Sequence, residues 1–144
     1  MQLPRWTWLL LLASCTLLSA SVVVARSESA LTTEAAYQFV KTADRFAIGG
    51  IGVAGTISRD EKAFRQLLQQ PDALGRCQRL LSEATPAGQF YALLGLRLLD
   101  QAAFRAALPR YKDSMAEIPT IRGCIVMSMR AAELARQIEK GDLR

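Results

Sequence analysis

The sequence predicts an all-α fold, a small irregular bundle of about six helices, and three observations carry that expectation. Apolar residues recur at three- and four-residue spacing from residue 30 onward. Helix start and stop signals punctuate the chain: Ser58, Asp72, Thr85-Pro86 and Asp100 as starts, Pro71, Pro109 and Gly141 as stops. Only one short stretch, Cys124-Ile-Val-Met127, has β character, and a lone strand has no partner.

In chain order, Ala30 to Ala47 places Leu31, Ala35, Phe39, Ala43 and Phe46 on one amphipathic face, with Thr32 or Thr33 as cap. Gly49-Gly-Ile-Gly-Val-Ala-Gly55 then breaks the helix. Ser58-Arg-Asp-Glu61 fits the capping box, Ser58 reaching the backbone of Glu61 and Glu61 reaching back. The helix it opens runs to Gln70 with Phe64, Leu67 and Leu68 inward, and Pro71 stops it. Asp72 caps the next, which carries Leu74, Cys77, Leu80 and Leu81 on one side.

Thr85-Pro86 opens a helix to Leu99, because proline at the first helical position loses an N–H that has no partner anyway. Phe90, Tyr91, Leu93, Leu94, Leu96 and Leu98 make it apolar on most sides, which places it at the centre of the bundle. Asp100 caps a helix with Phe104, Ala107 and Leu108 inward, ended by Pro109. Ile121 to Met129 reads as extended or as the start of the last helix. Met129 to Lys140 closes the fold, with Leu134 and Ile138 inward and Gly141 as C-terminal stop.

Asp60-Glu-Lys-Ala-Phe-Arg-Gln-Leu-Leu68 echoes Asp100-Gln-Ala-Ala-Phe-Arg-Ala-Ala-Leu108 in its Asp, Ala, Phe, Arg and Leu. Over Ser58 to Leu108 this resembles the paired-helix repeats of the HEAT kind, which implies a stacked helical repeat as the alternative to the bundle. The chain has room for about two such units, fewer than a solenoid needs.

Residues 1–25 look like a secretory signal: Arg5, then an uncharged run from Trp6 to Ala25, with the first acid at Glu28. Val23-Val24-Ala25 has the small-residue spacing of a cleavage site, so residues 26–144 are expected to form a single exported domain, periplasmic or secreted. Two other endings stay open. Leu12-Ala-Ser-Cys15 resembles the bacterial lipoprotein signal, which would lipidate Cys15. An uncleaved Trp6–Ala25 helix could also just span a bilayer core of about 30 Å.

Removing the leader removes Arg5 and no acid, leaving 17 Lys and Arg against 13 Asp and Glu. These bases are scattered and rarely interleaved with aromatics, which argues against a nucleic-acid surface. Membrane contact is expected only if the leader is retained or Cys15 is lipidated. In an oxidising compartment Cys77 and Cys124 predict a disulfide, with two free thiols as the alternative. With no His and only these distant thiols, neither a metal site nor any other cofactor is expected.

Gly50-Ile-Gly-Val-Ala-Gly55 satisfies G-x-G-x-x-G, but that fingerprint needs a strand before it and a helix N-terminus after it. With helix expected on its N-terminal side, a turn or an apolar contact loop is the better reading. The absence of His excludes Ser-His-Asp and Cys-His devices. Ser58 with Lys62, and the carboxylates Asp60, Glu61, Glu133 and Glu139, are better explained as caps and charged helix faces. The expectation is therefore a binding module for another extracytoplasmic protein or envelope component. Gly50, Ile51, Gly52, Phe64 and Phe104 are the candidate contacts, Phe64 and Phe104 having a competing place in the core. An envelope-tethered structural lipoprotein and a small hydrolase of unrecognised type are the alternatives.

Overall fold

A three-stranded sheet overturns the all-α expectation: with seven helices among the described residues, the fold is mixed α/β. The computed structural model describes residues 33–143, so the leader, its cleavage point and Cys15 lie outside the described residues. Helix α1 covers residues 33–41, followed by β1 (Phe46–Ile51), α2 (Arg59–Leu68), α3 (Ala73–Glu83) and α4 (Pro86–Leu99). Then come α5 (Gln101–Ala107), α6 (Pro109–Lys112), β2 (Glu117–Gly123), β3 (Ile125–Arg130) and α7 (Ala131–Lys140). The residues from Ala35 onward form one unit.

The strand order is β1-β2-β3, with β1 parallel to β2 and β2 antiparallel to β3. A parallel pair needs a long crossover, and α2 through α6 supply it. The antiparallel pair closes through Gly123-Cys124, between the partners Arg122 and Ile125. Gly123 has φ +53° and Cys124 is not in the left-handed region, the pattern of a two-residue type II′ turn. Pro119 sits in the central strand because its register with β1 begins only one residue later, at Phe46↔Thr120.

Helix α1 stops at residue 41, short of the expected Ala47, and its buried face is Ala36, Tyr37 and Val40. Phe39, expected inward, is 38% exposed and lies under the Arg59 guanidinium at 4.5 Å. Thr85 ends the helix from outside. Its N–H donates to Lys41 O at 2.9 Å and its hydroxyl to Ala43 O at 2.6 Å, while Oγ1 accepts the Gly88 N–H that caps α4.

Helix α4 does lie at the centre, buried from Ala87 through Leu96 apart from the half-buried Gln89, and packed on α2, α3, α5, α7 and the sheet. Tyr91 anchors β1 to it. The phenol donates to Ala47 O at 2.8 Å and accepts the Ala47 N–H at 3.0 Å, satisfying both backbone groups of that residue. The rings of Phe46 and Phe64 flank Tyr91 at 4.9 and 5.3 Å.

The expected Cys77–Cys124 disulfide is absent. Cys77 is fully buried on α3, within the core cluster, whereas Cys124 is exposed at the hairpin turn. A bridge requires neighbouring, mutually oriented Cβ atoms, and the core and the hairpin tip do not offer that.

Candidate functional site

The glycine segment is the joint on which the site is built. Across Ala47↔Ile121 and Ile51↔Gly123, β1 spends more residues than β2, so the strand bulges between them. Gly49 takes φ +93°, and a Cβ on Gly50 would stand 2.8 Å from Gly55 O. The bulge frees the Gly49 N–H from the ladder and turns it to Glu61 Oε2 at 2.9 Å.

Glu61 is wholly buried. Its other oxygen accepts Arg65 Nε at 2.9 Å and Nη2 at 2.7 Å, one turn along α2. The capping box is thus half formed: Ser58 Oγ accepts the Glu61 N–H at 3.1 Å, but the carboxylate reaches β1 rather than Ser58. The sequence pattern names the residue and misses its partner.

The G-x-G-x-x-G segment does stand between a strand and a helix, contrary to the helical context expected before it. Its backbone nevertheless cradles nothing. Ile51 and Thr56 exchange N–H···O bonds at 2.8 and 3.0 Å, Gly52 N–H donates to Gly123 O, and Gly55 N–H donates to Gly52 O. Ser58 occupies the α2 N-terminus, and Asp60 and Glu61 in its first turn oppose a phosphate.

The tip of this turn and the β2–β3 hairpin share one end of the sheet, joined by Ile51↔Gly123 and the Gly52–Gly123 hydrogen bond at 2.9 Å. Val53 is fully exposed there, and Ile125 and Val126 are 61% and 64% exposed, with Met127 following. On the inward face, Ile118, Thr120 and Met129 are buried, and burial then runs out toward the hairpin tip.

Of the five contact residues expected from sequence, Gly50 and Gly52 lie at the surface and Ile51 is half-buried. Phe64 and Phe104 are core side chains, 3% and 1% exposed, so neither offers a surface on which a protein partner could dock. Both belong to the echoed segments, where Asp100 caps α5 through the Ala102 and Ala103 N–H groups whereas Asp60 lies inside α2. Ser58 is engaged as a cap, Glu139 pairs with Lys112 at 3.0 Å, and Glu133 accepts from Gln137 at 3.4 Å. Among the described residues no group of three or more His, Cys, Asp or Glu side chains converges, and no helix is long and apolar enough to cross a membrane.

A concavity lies beside Glu61, between α2, α4 and the end of α7, with a volume of about 320 Å³. Arg65 and Arg97 line it together with apolar side chains. Sequence reasoning missed it, because both arginines read as ordinary solvated helix positions.

Comparison with protein-family models, with curated proteins and with solved structures returns no match. The functional reading therefore rests on the geometry of this chain.

Proposed function

We propose that the protein is an exported binding module that takes up an extended segment of another extracytoplasmic protein as a fourth strand beside β3. The outer edge of β3 supports this reading. Counting from the two-residue turn, Ile125, Met127 and Met129 direct their backbone groups to β2, and Val126 and Ser128 direct theirs outward. Among the described residues no strand pairs with that edge.

Protein edges are ordinarily blunted by charge, proline or covering segments. Ile125-Val-Met-Ser-Met129 carries neither charge nor proline, and its first three side chains are exposed. An added strand would gain main-chain hydrogen bonds for affinity and apolar contacts with the exposed Ile125, Val126 and Met127 for selection. The exported setting is supported by the leader pattern of residues 1–25.

The test is photo-crosslinking from positions 126 and 128 of the full chain in its native host, with Arg79 on α3 as control position. A distinct adduct from 126 and 128 but not 79 is expected, and the adduct from 128 should be lost in Val126→Pro and kept in Val126→Ala. Proline removes only the outward N–H, so the β2–β3 ladder stays intact. Equal adducts from all three positions, or an adduct indifferent to proline, would overturn strand addition. An adduct of twice the chain's own mass would replace the foreign partner with a second copy.

A further inference from the structure

The cavity beside Glu61 has the makings of a ligand site independent of the β3 edge. Its walls are largely apolar: Phe64 and Leu68 from α2, Leu94 and Leu98 from α4, and Leu143 after α7. Leu94 is 6% exposed and forms part of the deep wall, while Leu98 is 58% exposed and stands at the mouth. A volume of about 320 Å³ falls at the lower end of small-molecule pockets. It has room for about ten groups of the size of a water or methylene, at roughly 30 Å³ each.

Charge in the cavity is unbalanced. Glu61 is the one acid in the lining, and it is saturated by Gly49 and by two Arg65 nitrogens. Arg97 has no acid partner and no hydrogen bond among the described residues. Its guanidinium lies against Gly141, with Nη2 2.9 Å from where a Cβ on that residue would sit. Gly141 ends α7 in the left-handed conformation, so the half-buried guanidinium is held at a helix C-terminus and still faces the cavity. The lining thus holds two guanidinium groups against one carboxylate, above an apolar floor.

We infer that this cavity binds a small amphipathic carboxylate, its apolar body against Phe64, Leu68 and Leu94 and its carboxylate held by Arg97 with Arg65 beside it. A guanidinium is suited to this because its planar fork matches a carboxylate in two parallel hydrogen bonds. A neutral ligand of the same length would fill the floor and leave Arg97 unanswered. A phosphate without an apolar body would answer Arg97 and leave the floor wet.

The experiment is a titration of the full chain at pH 7 with octanoate and, separately, with octanol, followed by the methyl resonances of Leu94 and Leu98. Octanoate should shift both saturably below about 1 mM, within what ligand-efficiency bounds allow for about ten heavy atoms. Octanol should bind at least fivefold more weakly. Arg97→Gln should lower octanoate affinity at least fivefold and leave octanol unchanged. Leu98→Glu, at the exposed mouth and read at the Leu94 methyls alone, should weaken octanoate more than octanol by repulsion, and spectra away from the cavity report whether each variant is folded. Equal affinity for octanol and octanoate, or octanoate binding indifferent to Arg97→Gln, would overturn the carboxylate assignment. No saturable shift of either methyl set up to millimolar ligand would overturn the site itself. Neither result touches the strand-addition reading, because β3 lines no part of this cavity.

Discussion

The backbone N–H of Gly49 donates to the buried carboxylate of Glu61 at 2.9 Å, and through it β1 is fastened to α2. That single bond accounts for three features together. The glycines let β1 bulge, the bulge turns an N–H out of the ladder, and the carboxylate has a reason to be buried at the first turn of α2.

Replacing Glu61 should therefore cost more than a helix-surface change. Glu61→Ala leaves the Gly49 N–H and Arg65 without their partner, and a loss of about 2 kcal/mol is expected. Glu61→Gln keeps an acceptor for Gly49 and should lose less. Urea unfolding checks both, and a Glu61→Ala midpoint equal to that of the parent would contradict the role given to the carboxylate.

Tyr91→Phe should destabilise the fold although it keeps the ring packing. The phenol satisfies both the N–H and the C=O of Ala47, and burial pushes its pKa up to about 12 against the pull of that hydrogen bond. Loss of the hydroxyl strands buried polar groups, at about 1–3 kcal/mol. Thermal unfolding reads the change, and faster exchange of the Ala47 amide in the variant identifies its source.

The two cysteines should differ in reactivity. Burial pushes the Cys77 thiol up to about 12, so it stays protonated and inaccessible at pH 8. Cys124 is exposed at the turn. A maleimide should label Cys124 in the folded protein and Cys77 only after unfolding. Mass analysis of an oxidised sample should find no Cys77–Cys124 bridge, and finding one would contradict the placement of α3 relative to the hairpin.

Much of the helical framework was legible in the sequence because capping is local. Ser58, Thr85, Asp100 and Gly141 act where their residue types and neighbours place them, and α4 is central because it is apolar on most sides. The sheet was hidden for reasons that are not local. β1 carries two glycines and finds its partner beyond five helices, β2 contains a proline, and β3 has exposed apolar residues on both faces instead of alternation. Helical spacing then extended α1 into β1. The paired arginines of the cavity were illegible too, since only packing shows that Arg65 is matched by Glu61 and Arg97 by nothing among the described residues.

Stability should respond to acid through Glu83. Hydrogen bonds from Lys41 and Tyr37 hold its carboxyl below the usual carboxylate range. A depressed folded-state pKa contributes stability above the unfolded value, and that contribution disappears as pH falls through the folded value. Glu83→Gln should accordingly flatten the dependence of the unfolding midpoint on pH in the acid range below about 4. An unchanged pH profile would show that these hydrogen bonds to Glu83 contribute nothing measurable.

Amide hydrogen exchange along β3 tests the strand-addition account most directly. In the free chain, Met127 and Met129 should be protected by β2 while Val126 and Ser128 exchange at least tenfold faster. With the crosslinked partner bound, Val126 and Ser128 should slow to the range of their neighbours. If Val126 and Ser128 are already protected in the free chain, or stay fast in the complex, the outer edge of β3 is not where the partner binds.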